Sequence, residues 1–198
     1  MIHLLSPLAY HVISWKNGGG TTTNIATDPE GAGWDEINWR VSIADIRRSG
    51  PFSQFPGIDR SILLLDCPRG SEMRLTIDGK KVLMKPHEFI DFPGEATAHG
   101  DLSGEPIRDF NVMSRRGVIR HRRGFNVVSP NEVFRMGGND TRVIHVASGH
   151  TEMVNAVAGR MVVAGESIVA AGDEMVQLRG GPDGAQLVWA VFSNVAAA

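Results

Sequence analysis

The sequence predicts an all-β protein made of two antiparallel β-barrels. Three observations carry this. Apolar runs are short, and 23 glycines and 10 prolines punctuate the chain at brief intervals. No long segment holds an apolar period of 3.6 residues. There is also a weak internal echo. Residues 72–93 run strand, Asp-Gly turn, strand, then a strand ending in Phe92-Pro93-Gly94, while residues 153–178 run strand, Ala-Gly turn, strand, then Ala171-Gly172-Asp173 and a strand. Both fit the hairpin pattern of a double-stranded β-helix. In 198 residues, each barrel would take roughly 80–100. The expected division is 1–118 and 119–198, with a soft boundary near 117–124 and room for exchanged strands.

In chain order, strands are expected over 39–46, 60–66, 72–77, 81–84, 88–92, 107–114, 125–128, 141–147, 153–157, 160–164, 174–178 and 186–193. Asp78-Gly79, between Met73-Arg74-Leu75-Thr76-Ile77 and Lys80-Lys81-Val82-Leu83, is a hairpin signal. Ala158-Gly159, Gly172-Asp173 and Gly180-Gly181-Pro182-Asp183-Gly184 read as further turns. Ser129-Pro130-Asn131-Glu132 reads as the cap and first turn of a helical turn near 129–134.

Composition excludes several function classes. A net charge of −2 does not suit a protein that coats nucleic acid or an acidic membrane. Cys67, the one cysteine, excludes an intrachain disulfide framework and favours a reducing compartment. The start, Met1-Ile2-His3-Leu4-Leu5-Ser6-Pro7, lacks the charged region and apolar length of a signal peptide. No stretch approaches the roughly 20 apolar residues of a membrane span. A cytoplasmic location is expected. Arg108, Arg115, Arg116, Arg120, Arg122 and Arg123 cluster with little aromatic interleaving, which fits a solvated hairpin better than a nucleic-acid patch.

The chemistry concentrates in two stretches. In Trp15-Lys16-Asn17-Gly18-Gly19-Gly20-Thr21-Thr22-Thr23 a long cation stands beside three glycines and three hydroxyls. In Trp39-Arg40-Val41-Ser42-Ile43-Ala44-Asp45 a strand period of two puts Arg40, Ser42 and Ala44 on one face and Trp39, Val41 and Ile43 on the other. The small Ser42 and Ala44 leave space above the sheet. Arg60 opens the apolar strand Ser61-Ile62-Leu63-Leu64-Leu65, and a guanidinium there can grip a carboxylate through paired hydrogen bonds. The bland alternative is a solvated arginine paired with Asp59 or Asp45. In Asp109-Phe110-Asn111-Val112-Met113 the residues Asp109, Asn111 and Met113 share a face. Asp109 there either orients the sheet through an arginine or orients an arginine toward a ligand.

These motifs, with Gly50-Pro51-Phe52-Ser53-Gln54-Phe55-Pro56-Gly57-Ile58-Asp59-Arg60 and Asp91-Phe92-Pro93-Gly94, make the chain resemble the HutD/Ves family over essentially its whole length. The resemblance implies two cupin-like barrels, a bicupin. It also implies an association with bacterial histidine utilisation, in which the family binds a small pathway acid, urocanate and formylglutamate being the natural candidates.

Metal-dependent cupins need a cluster of imidazoles and a carboxylate. None of the seven histidines here forms His-x-His, and the hairpins at 75–81 and 156–160 carry none. No cofactor or metal is expected. There is no Gly-x-Ser-x-Gly elbow and no P-loop, and Cys67 reads as a small apolar residue. The expected site is therefore a metal-independent carboxylate pocket. Lys16, Arg40 and Arg60 supply charge, Asn17, Thr21, Ser42 and Asn111 supply hydrogen bonds, and Asp109 orients. Trp15, Trp39 and Phe52 form the wall. One rival is a metal-free isomerase or hydrolase on the same acids, with Asp109 as base. Another is an interaction module whose second barrel forms a homodimer surface.

Overall fold

The computed structural model describes residues 1–155 and 159–196. Its strands, in chain order, are β1 (Ile2–Leu5), β2 (His11–Ser14), β3 (Gly20–Asp28), β4 (Trp39–Ile46), β5 (Gly50–Pro51), β6 (Ile58–Asp66), β7 (Glu72–Ile77), β8 (Lys80–Leu83), β9 (Phe89–Pro93), β10 (Ala98–Ser103), β11 (Ile107–Arg115), β12 (Ile119–Val128), β13 (Val133–Met136), β14 (Thr141–Met153), β15 (Met161–Val163), β16 (Ser167–Ala170) and β17 (Val176–Asn194). A single 3₁₀ turn, Pro7–Ala9, is the only helical element among the described residues.

The chain divides into two compact units, residues 11–120 with 194–198, and residues 1–10 with 121–193. The first ten residues thus go with the later half, not with 11–118. The reason is pairing: β1 lies antiparallel on β16, Ile2 opposite Ala170 and Leu5 opposite Ser167.

The unit holding 11–120 has a six-stranded sheet, β2-β3-β4-β11-β6-β9, and a four-stranded one, β5-β10-β7-β8. Inward residues of the first (Ala44, Ile46, Ile62, Leu64, Ile107) pack on Met73, Leu75 and Ala98 of the second. The Asp78-Gly79 hairpin forms with both residues at positive φ, 46° and 79°, as a tight two-residue loop requires.

The other unit has a seven-stranded sheet, with β1-β16-β14-β17-β12 in order, β13 on β17 and β15 on β14. Its core gathers Ile144, Val146, Met153, Ile168, Leu178 and Leu187.

Two local expectations change, and a third falls partly outside the described residues. Gly180-Gly181-Pro182-Asp183-Gly184 is not a turn but the irregular middle of β17. Its glycines let neighbouring chain approach: a Cβ on Gly180 would lie 2.3 Å from the Ser129 carbonyl oxygen. Residues 129–134 form no helical turn. The Glu132 amide donates to the Ser129 carbonyl, the Glu132 carboxylate accepts from the Ser129 amide, and Asn131 takes a φ of 63°, so the chain reverses into β13. Expected strand 153–157 and the Ala158-Gly159 turn fall partly on 156–158, outside the described residues, while β14 runs on to Met153 and pairs there with β17.

Candidate functional site

The site is a set of cross-strand rungs on the inner face of the six-stranded sheet. In one rung Arg40 of β4, Met113 of β11 and Arg60 of β6 stand side by side, with Phe92 of β9 beyond Arg60. The next holds Asn24, Ser42, Asn111 and Ile62, and the third Thr22, Ala44, Asp109 and Leu64. Strands two apart lie roughly 10 Å apart, so the two arginines start from opposite sides of one hollow. The small Ser42 and Ala44 leave that hollow open. It is a cavity of about 570 Å³, within the usual range for small-molecule sites.

Each guanidinium is held by an asparagine. Arg40 Nε donates to Asn24 Oδ1 at 2.9 Å, and Asn24 Nδ2 donates to Thr27 Oγ1 at 2.8 Å. Arg60 Nε donates to Asn111 Oδ1 at 3.1 Å, and its Nη1 reaches the Ser53 carbonyl at 3.5 Å. Fixing Nε orients the planar fork and leaves terminal nitrogens toward the cavity. Aromatic rings sheathe both cations. Arg40 lies over the Trp34 ring, 4.0 Å from its centroid, and Arg60 stands 5.1–5.6 Å from those of Phe52, Phe92 and Phe55. Both arginines are buried, 5% and 6% exposed, and neither has a carboxylate at ion-pair distance among the described residues. Asp59 and Glu95 are taken by Arg116 instead, at 2.7 and 2.6 Å. Burial pushes Arg40 down to about 10. Burial does the same to Arg60, Arg40's charge adding to the effect and Asp109 opposing it. Both stay cationic at neutral pH.

The glycine run shapes the rim. The Trp15 amide donates to the Gly20 carbonyl and the Gly18 amide to the Trp15 carbonyl, closing a tight loop in which Gly18 has a φ of 67°. A Cβ on Gly20 would sit 2.2 Å from the Asp45 carbonyl oxygen, so only glycine fits there. Asn17 Oδ1 accepts from the Gly19 amide at 2.9 Å, and Trp15 Nε1 donates to Thr22 Oγ1 at 2.8 Å. Exposed Lys16 completes this side of the cavity lining. Loops 29–38 and 52–57 supply Trp34 and Phe55, whose ring centroids are 4.5 Å apart. Beneath them Ile37, Ile58 and Met113 form a small apolar cluster, and Arg115 ties down the Ile37 and Asp35 carbonyls.

Of the residues expected from sequence, Lys16, Asn17, Arg40, Ser42, Arg60 and Asn111 line the cavity, as do Trp15 and Phe52. Three do not. Thr21 is one residue out of phase: it pairs with Asp45 on the opposite face, so Thr22 points inward. Trp39 shares the outer face with Val41 and Ile43, and all three are buried there. Asp109 is on the inner face but lies beneath the lining, fully buried. Sequence reasoning missed Asn24, Thr22 and Trp34. Thr22 and Asn24 follow Gly20 at a spacing of two, but the polar run Thr21-Thr22-Thr23-Asn24 carries no apolar alternation to say which face is inward. Trp34, between Gly33 and Asp35 in a polar loop, had only its incongruous size as a signal. Among the described lining residues there is no histidine, cysteine or carboxylate, so the lining offers hydrogen-bond donors and positive charge. The basic run 108–123 is largely engaged within the chain. Arg108 pairs with Asp66 at 3.3 Å, Arg116 with two carboxylates, and Arg122 with Asp140 at 3.7 Å.

The chain is similar to known proteins over most of its length. The family model described as HutD matches residues 9–187. An uncharacterised 21.2 kDa protein in the hutC 3′ region of Pseudomonas putida is 37% identical over 163 residues, covering 81% of this chain and 80% of that protein. Protein Ves of Citrobacter koseri is 33% identical over 137 residues, 68% of this chain and 67% of its own. The structure of HutD from Pseudomonas fluorescens SBW25, in a formate condition, superposes with a TM-score of 0.80 at 26% identity, covering 99% and 100% of the two chains. In fold alone the chain is also similar to the bacterial pirin YhhW of Escherichia coli, with a TM-score of 0.67, 9% identity, and 96% and 98% coverage. No helix among the described residues is long and apolar enough to cross a membrane. The glycine-rimmed, two-arginine cavity thus sits in a bicupin, and the chain belongs to the HutD family.

Proposed function

We propose that this chain is a cytoplasmic, metal-independent binder of a small carboxylic acid, and that it senses or buffers an intermediate of histidine utilisation such as urocanate or formylglutamate. One observation carries the reading: two buried arginines face one cavity whose described lining holds no carboxylate, and Asp109, which acts on Arg60, lies beneath that lining. Buried charge is costly unless compensated, and an acid anion supplies the compensation. Arg40 and Arg60 grip it, with Lys16 adding charge at the rim. Ser42, Asn17, Thr22 and Asn111 accept or donate hydrogen bonds, and Trp15, Trp34 and Phe52 enclose the apolar part. The family name and the hutC-region relative support the pathway link.

Calorimetric titration of the protein, in chelator, with urocanate, formylglutamate, formate, glutamate and histidine tests this. A selective response to one acid is expected, with binding at least tenfold weaker in Arg60→Ala while its circular dichroism is unchanged. Normal binding by that variant would falsify the assignment. The base that a metal-free isomerase or hydrolase would need, Asp109, lies beneath the lining and not in it. Mass spectrometry of each acid after incubation checks for turnover. Sedimentation velocity tests the rival reading in which the second barrel forms a homodimer surface.

A further inference from the structure

Asp109 is the least explained residue of the inner face. It is 0% exposed, and neither carboxyl oxygen has a hydrogen-bond partner among the described residues. Its rung neighbours are Ala44, which lines the cavity, and Leu64, and Asn111 is the next inward residue on its own strand. Its nearest donors are the Ala44 amide and the Asn111 side chain, and neither makes a hydrogen bond of ordinary geometry, so a carboxylate buried there against apolar core is hard to keep ionised. The main opposing influence is the Arg60 charge. That same guanidinium faces the cavity where an anion would sit.

We propose that Asp109 is a positioning residue that couples anion binding to proton uptake: an acid anion settling on Arg60 withdraws the cation's support from Asp109, which then takes up a proton from solvent. The proposal rests on the acid-binding reading. In the empty protein Asp109 and Arg60 compensate each other across the cavity floor. In the complex the ligand takes that role, and a neutral Asp109 avoids repelling it. No bond breaks in the ligand; one proton moves from buffer to the Asp109 carboxyl.

The surroundings leave few other titrating groups. Arg60 faces Asp109 from β6, and Asp45 of β4 acts on it from the far face, disfavouring its charge. Arg108, its neighbour on β11, is on the outer face and pairs with Asp66. The inward side chains of β3 (Thr22, Asn24), β9 (Ile90, Phe92), β7 (Met73, Leu75) and β10 (Ala98) are uncharged. Arg40 and Lys16 stand across the cavity. His11 of β2, exposed and in the Asn24 rung, is the nearest histidine in register. Burial pushes Asp109 up to about 7, against the pull of Arg60, which puts the coupling within reach of physiological pH.

The test uses formate, acetate and N-formylglutamate, whose carboxylates do not titrate between pH 6 and 9. Calorimetry at one pH in HEPES and in Tris reads proton uptake from the buffer dependence of the heat. Uptake of a fraction of a proton is expected for the wild type. Affinity should rise as pH falls from 9 to 6, by up to about tenfold per pH unit for one linked proton. Asp109→Asn should still bind, with uptake and pH dependence gone, while His11→Gln should keep both. If the wild type binds without uptake, the coupling is wrong and the acid-binding reading stands. If none of the three acids, nor urocanate, binds at any pH, both fail. Should Asp109→Asn not fold, ¹³C NMR of the Asp109 carboxyl decides. A titration midpoint that rises on saturation with formate supports the coupling, and an unmoved one overturns it.

Discussion

At the residue scale the site depends on how two arginines are held. Each gives its Nε to an asparagine, Arg40 to Asn24 and Arg60 to Asn111, and presents the rest of its fork. A lysine keeps the charge but loses the fork. Arg60→Lys is therefore expected to recover little of the binding lost in Arg60→Ala, by calorimetry. Asn24→Ala and Asn111→Ala should each weaken binding less than loss of the arginine, by about 1 kcal/mol for one hydrogen bond. Asp109 predicts a stability signature independent of any ligand. Its folded value of about 7 lies above its ordinary value of 3.8. Its contribution to stability is thus fully present below about pH 4 and lost as pH rises toward 7. Denaturant titrations of Asp109→Asn and wild type should show the difference moving in the variant's favour between pH 4 and pH 8, by an amount on the order of a few kcal/mol. A pH-independent difference would mean the carboxyl titrates alike in both states.

At the element scale, β4 was legible and β3 was not. Trp39–Ile46 carries a full period-two pattern, so both its limits and its inward face (Arg40, Ser42, Ala44) could be read. Gly20–Asp28 is polar on both faces, Thr-Thr-Thr-Asn, which gives no apolar alternation to fix the phase. That is why Thr21 was expected in the site and Thr22 occupies it. In β17 the glycines and Pro182 mimic a turn, yet β14 and Ser129 hold the strand together across them. The rim loop yields a direct test. Gly20→Ala would drive a Cβ into the Asp45 carbonyl, so it is expected to lower the melting temperature and abolish acid binding together. Gly33→Ala meets nothing within 4 Å and should change neither.

At the scale of the whole molecule each unit has its own apolar core, and the two should respond separately to truncation. Leu75→Ala strikes the core under the cavity and Leu178→Ala that of the other unit. Each is expected to cost about 2–5 kcal/mol, read by denaturant titration. Deleting residues 1–5 removes β1 from β16. Hydrogen exchange should then quicken at Ser167–Ala170, while amides of β4 and β11 stay protected. Unchanged exchange at β16 would mean that β1 does not hold that edge.

The sequence by itself determined the all-β class, the Asp78-Gly79 hairpin, the strand carrying Arg40 and Ser42, and the family, because these rest on local periodicity, turn chemistry and contiguous motifs. Only the tertiary structure decided that Arg40 and Arg60 flank one hollow, that Trp34 covers Arg40, that Asp109 lies below the lining, and that β1 belongs to the unit of the later half. Each is a matter of register between strands distant in the chain. A shift of one residue there exchanges the two faces of a strand, and no local pattern records it.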